Sequence, residues 1–112
     1  MTPRAATLQH VFAVVVSRPN EPDERFELDK AEITIGRVTG NDIVVPRGNI
    51  SRRHVRLVIK DDRFILVDLK STNGTFVNGR QITSPMIITD TDLVMIGDSR
   101  LTFEEIEGPT LE

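Results

Sequence analysis

The sequence predicts an all-β domain, a two-sheet β-sandwich of about eleven strands with its ligand site in loops at one end. Three observations predict it. Short segments rich in Val, Ile and Phe recur along the chain, residues that favour turns separate them, and no stretch carries the apolar period of a long amphipathic helix. Many short strands with turns between them bury their apolar faces most simply as two facing sheets.

Residues 11–16 form the first strand segment and the longest apolar run near the N-terminus. Pro19-Asn20-Glu21-Pro22-Asp23 ends it, since proline fixes φ and Asn and Asp accept turn conformations. Segments 25–28 and 32–35 follow, then a Gly40-Asn41 turn and segment 42–45. Segments 55–59 and 64–69 flank Asp61-Asp62, and Asn73-Gly74 leads into 75–77. Asn78-Gly79 is the clearest hairpin signal, because both residues tolerate the positive φ that a type I′ turn requires at each central position. Segments 81–83, 87–88 and 93–96 come next, and Gly97-Asp98 turns the chain into the last one, 101–106. Residues 8–106 thus read as one domain, with flexible termini at 1–7 and 107–112; the Leu111-Glu112 tail carries no weight in the fold. Phe12, Phe26, Phe64, Phe76 and Phe103 all sit inside apolar strand patterns and are assigned to the core rather than to a base-stacking platform.

A chain of 112 residues is enough for one hydrophobic core and not for two domains. The absence of cysteine excludes disulfides, thiolate zinc sites and cysteine nucleophiles, and suits a reducing compartment, so a cytoplasmic location is expected. The run at 11–16 is too short to cross a bilayer, which takes about 20 apolar residues, and no membrane association is expected. Net charge is −3, yet residues 36–56 hold five arginines (Arg37, Arg47, Arg52, Arg53, Arg56) against one acid, Asp42, a local balance of +4. Positive charge concentrated against the sign of the whole chain points to an anionic ligand of limited size.

Four polar islands interrupt the strand pattern: Gly36-Arg37, Ser51-Arg52-Arg53-His54, Ser71-Thr72-Asn73-Gly74 and Asn78-Gly79. Loops at one end of a sandwich converge in space even when distant in sequence. Together the islands offer an arginine fork, hydroxyls, an amide and backbone N–H groups, which are donors for a phosphate, and no general base. Catalysis and metal binding find no support. Ser51 lies in no nucleophile elbow, the Gly36 to Asn41 stretch is not a nucleotide P-loop, and His54 has only His10 as a fellow histidine, at no ligand spacing. No cofactor is expected.

The order Gly36-Arg37, Ser51-x-x-His54, Asn73-Gly74-Thr75 and Asn78-Gly79 resembles the forkhead-associated (FHA) family of phosphothreonine-binding domains, over about residues 8–106. The resemblance implies an eleven-strand sandwich that recognises phosphothreonine in partner proteins within Ser/Thr kinase signalling, without catalysis. It implies that Arg37 and Ser51 bind the phosphate, that Arg52 supplements them, that Thr72 reaches the phosphate or the threonine from the opposite loop and that Asn73 holds the peptide main chain. Gly36, His54 and Gly74 take the family's architectural positions. Arg53 and Arg56 are expected on a solvated face, and Arg47 and Lys70 at the rim of the site. A monomer is expected in isolation. Two other readings stand beside this one: a nucleic-acid-binding β domain using Arg52, Arg53 and Arg56, disfavoured by a pI near 5.4, and a scaffold that binds unphosphorylated partners.

Overall fold

The computed structural model describes residues 7–110, with side chains from residue 11 to residue 106. The described residues contain eleven strands and no helix, so none is long and apolar enough to cross a membrane. The strands are β1 (Thr7–Ser17), β2 (Glu24–Leu28), β3 (Glu32–Gly36), β4 (Ile43–Val44), β5 (Val55–Lys60), β6 (Arg63–Asp68), β7 (Thr75–Val77), β8 (Arg80–Gln81), β9 (Met86–Ile88), β10 (Val94–Ile96) and β11 (Ser99–Thr110). One sheet runs β2-β1-β11-β10-β7-β8 and the other β4-β3-β5-β6-β9. All pairings are antiparallel except β3 with β4, where Ile35 lies beside Ile43 and Gly36 beside Val44. The expected sandwich is therefore present.

The tight turns follow from their residues. Asn78 (φ 51°) and Gly79 (φ 84°) form a two-residue connection between the paired Val77 and Arg80, the I′ geometry their chemistry predicts. That pairing starts β8 at Arg80, one residue earlier than the sequence pattern suggested. Asp61 (φ 52°) and Asp62 (φ 59°) do the same between Lys60 and Arg63. Gly97 (φ 57°) opens the β10–β11 turn. The longest ladder joins β1 to β11 from Ser17–Arg100 to Thr7–Thr110, so the strands extend past residues 8 and 106 at both ends. Residues 1–6 and 111–112, within the termini expected to be flexible, lie outside the described residues.

Alternation along each strand sends one set of side chains between the sheets. Val14 and Val16 of β1, Ile33 and Ile35 of β3, Leu57, Leu66, Val94, Ile96, Leu101 and Phe103 are buried there. Each such side chain contributes roughly 1.5–3 kcal/mol through its removal from water. Phe64 meets Phe12 edge-on and Phe103 at a tilt, with ring centroids 5.3 Å apart in both pairs. Phe12 and Phe26 pack against this core, as expected. Phe76 does not belong to it: Thr75 and Val77 occupy the inward positions of β7, so period-two alternation turns Phe76 to the outer face beside Met95, half-buried.

Candidate functional site

Three connections meet at the end of the sandwich where β3 ends and β5 begins. They are the β3–β4 loop (residues 37–42), the β4–β5 loop (45–54) and the β6–β7 loop (69–74). The last two are tied by three rungs. The Asn73 amide donates to the Asn49 carbonyl (3.1 Å), the Thr72 N–H to Ser51 Oγ (2.9 Å), and the Leu69 N–H to the His54 carbonyl (2.9 Å). Between the loops lies an open cleft of about 400 Å³, lined by Arg37, Ile50, Ser51, Arg52, Thr72 and Asn73 together with Gly48, Asn49, Arg53 and Lys70. The five residues that the sequence singled out for the ligand thus share one cleft.

Behind the cleft, His54 is wholly buried and bridges both loops. The Ser51 N–H donates to its Nδ1 (3.0 Å), so Nδ1 is unprotonated and Nε2–H donates to the Gly74 carbonyl (2.9 Å). Burial holds the imidazole pKa below its usual value, against the opposing pull of the Gly74 carbonyl and the Asp68 charge. Gly36 serves by close approach rather than by unusual φ: a Cβ there would lie 2.1 Å from the Arg52 carbonyl oxygen. Gly74 does adopt a positive φ, 88°. The Arg37 N–H donates to the Ser51 carbonyl (3.0 Å) and its Nε to the Ile50 carbonyl (2.9 Å), which leaves the guanidinium tip facing the cleft.

Several positioning residues escaped the sequence reading. The Asn41 amide donates to the carbonyls of Val38 and Arg52, both at 2.8 Å, stitching two loops together. Asp68 accepts from the Ser71 N–H (3.1 Å), Ser71 Oγ (2.5 Å) and the buried Thr75 Oγ1 (2.6 Å). Burial alone would raise its pKa, but these hydrogen bonds outweigh it and the net shift is downward. Asn49 packs on Gly97, and in the amide orientation that satisfies both of its polar atoms it exchanges two hydrogen bonds with Asp98, its nitrogen donating to the carboxylate and its oxygen accepting from the N–H, both 3.2 Å. The same carboxylate holds Arg47, which is therefore paired and does not line the cleft. Arg56 pairs with Glu32 on the β3–β5 face, away from the site. Arg53 is exposed, as expected, but it also lines the cleft, because residues 52 and 53 precede the first residue of β5 and strand alternation does not reach them.

Electrostatics distinguish this cleft. Arg37, Arg52, Arg53 and Lys70 line it, no acid does, and none of the four makes an ion pair among the described residues. Arg18, Arg25, Lys30, Arg47 and Arg56 each hold a carboxylate. The other described cations without an ion pair, Lys60, Arg63, Arg80 and Arg100, lie on other turns and strands, so what sets the cleft apart is four such cations gathered together without an acid. No group of three or more His, Cys, Asp or Glu among the described residues is placed to hold a metal.

Fold and site together define a β-sandwich receptor module that gathers cations and neutral donors in the loops at one end. A profile of the FHA domain matches residues 33–97, more than half of the sequence, and the chain belongs to the FHA domain family. It is 40% identical over 96 residues to the oxoglutarate dehydrogenase inhibitor of Corynebacterium diphtheriae, covering 86% of this chain and 65% of that protein. To the glycogen accumulation regulator GarA of Mycobacterium tuberculosis it is 36% identical over 96 residues, covering 86% of this chain and 57% of GarA. The chain thus spans under two-thirds of the length of these curated relatives. Among solved structures it resembles EmbR of Mycobacterium tuberculosis in complex with a low-affinity phosphopeptide (TM-score 0.72, 30% identity, 82% of this chain and 24% of that one). A second is an FHA domain solved in a study of phosphothreonine-dependent interactions (TM-score 0.72, 26% identity, 82% and 95%).

Proposed function

We propose that this domain is a phosphothreonine-peptide receptor, a non-catalytic module that recruits phosphorylated partners in Ser/Thr kinase signalling in the cytoplasm. The observation that carries the reading is the set of unpaired cations around a cleft without an acid, beside hydroxyl and amide groups with donors to spare. Ser51 Oγ accepts from the Thr72 N–H, so its own proton is free to point at a phosphate oxygen. The Arg37 tip supplies the charge-assisted contact, and Arg52 and the Thr72 hydroxyl add to it. Asn73 spends one amide hydrogen on the Asn49 carbonyl and retains its oxygen and second hydrogen for a peptide backbone. Membership of the FHA family supports reading the module as a receptor that holds its ligand without changing it.

A small loop site of this kind suits micromolar affinity, about −8 kcal/mol. Calorimetry with a phosphothreonine peptide, its unphosphorylated twin and a short oligonucleotide, each at two salt concentrations, tests the reading. Binding is expected for the phosphorylated peptide alone. Equal affinity for the peptide twins overturns it, and tight, steeply salt-dependent oligonucleotide binding favours the nucleic-acid reading instead.

A further inference from the structure

We infer, resting on the phosphothreonine reading of the same cleft, that its ligand carries a second anionic group close to the phosphothreonine, held at the end formed by Arg53 and Lys70. The three rungs between the β4–β5 and β6–β7 loops give the cleft a direction. The Asn49–Asn73 rung marks an end lined by neutral groups, Gly48 and two amides. The Ser51–Thr72 rung lies in the middle, beside the Arg37 tip. The Leu69–His54 rung marks the other end, and the cations Arg52, Arg53 and Lys70 fall between it and the middle. The cleft is therefore amide-lined at one end and strongly cationic at the other.

Charge counting shows what one phosphate leaves over. A phosphothreonine brings about −1.5 to −2 at neutral pH. Arg37, Arg52, the Ser51 hydroxyl and Thr72 already make a sufficient set of donors for its three oxygens. Four unpaired cations line the cleft, so about two positive charges stay uncompensated after the phosphate binds. This occurs on a protein of net charge −3, in which even Arg47, four residues from Ser51, is neutralised by Asp98. Like charges gathered without counter-ions repel one another, and an added anion relieves that repulsion. Such a group is either a second phosphorylated residue or a glutamate or aspartate within about two residues of the phosphothreonine, since extended chain advances about 3.3 Å per residue.

Fluorescence anisotropy with peptides of one core sequence tests this: phosphothreonine with neutral neighbours, with one glutamate two residues before or after it, with a second phosphothreonine at those positions, and a twin bearing glutamates only. The expected result is at least tenfold tighter binding for a second anion on one side of the phosphothreonine, shrinking at high salt, and little gain on the other side. The second-phosphate and glutamate arms tell the two sources apart. In the Arg53→Gln/Lys70→Gln variant the ratio between doubly and singly anionic peptides should collapse toward one. If the neutral-flanked phosphopeptide binds and the second anion changes affinity less than twofold on both sides, the inference fails and the phosphothreonine reading stands. If no phosphopeptide binds, that reading fails. Glutamate-only peptides binding as tightly as phosphorylated ones would overturn the inference by making the cleft a general anion trap.

Discussion

Replacing His54 with alanine should cost more stability than any change to the groups that face the ligand. The imidazole is fully buried, and its two hydrogen bonds join the β4–β5 loop to the β6–β7 loop. Its removal leaves the Ser51 N–H and the Gly74 carbonyl without their partner, at roughly 1–3 kcal/mol for each buried group left unsatisfied. A cavity the size of the lost ring adds to this, as large-to-small changes in cores do. The sum is on the order of 3–5 kcal/mol. At about 4 °C per kcal/mol for a domain of this size, Tm should fall by about 12–20 °C. Scanning calorimetry, with a urea titration at 25 °C, reads the loss, and phosphopeptide affinity should fall with it because Ser51 is released. A variant within 2 °C of the parent would refute the reasoning, by showing that the loops hold their positions without the bridge.

The other expectations concern the same loops. Gly36→Ala places a Cβ 2.1 Å from a backbone oxygen that cannot rotate away, so it should destabilise by roughly 1–3 kcal/mol and shift the Arg52 loop enough to weaken phosphopeptide binding; unchanged affinity would show that the loop tolerates the displacement. Arg37→Ala should cost on the order of 2–5 kcal/mol in binding but only about 1 kcal/mol in stability, from the lost bond to the Ile50 carbonyl, as measured by calorimetry beside a melting curve. Ser51→Ala should lose about 1.5–3 kcal/mol of binding. Because the folded His54 is depressed in pKa by burial, the unfolded chain binds the extra proton: its contribution to stability is full above about pH 6.5 and is lost as pH falls toward the lower folded value, so the urea midpoint should drop between pH 7 and pH 5. Asp68, also depressed, contributes above about pH 4 and loses its contribution below that. A urea midpoint that stays flat from pH 7 to pH 5 would contradict a neutral, desolvated imidazole.

Local chemistry was legible in the sequence and loop-to-loop chemistry was not. The Asn78-Gly79 turn is encoded in two adjacent residues, and both show the positive φ their type predicts. The core positions of β3, β5 and β10 follow from alternation alone. Phe76 was misplaced because Thr75, a polar residue, takes the inward position, which it can do only by bonding to Asp68, seven residues away. Arg53 is solvated as expected, but its place on the cleft was hidden by extending a strand period into a loop. Asn41 and Asp98 act through carbonyls and side chains 11 and about 50 residues distant, and nothing near either residue in the sequence marks those partners.

The long β1–β11 ladder has a mechanical corollary. Its Ser17–Arg100 end lies at the pole of the β10–β11 turn that supports Asn49, and its Thr7–Thr110 end lies ten residues away along both strands. At about 3.3 Å per residue, that sets Thr7 and Thr110 side by side roughly 33 Å from the receptor pole. Chain that continues beyond Thr7 or Thr110 thus starts from a handle set clear of the working surface. A segment of the same polypeptide beyond Thr7 or Thr110 could fold back into the cleft only across a tether of about ten extended residues.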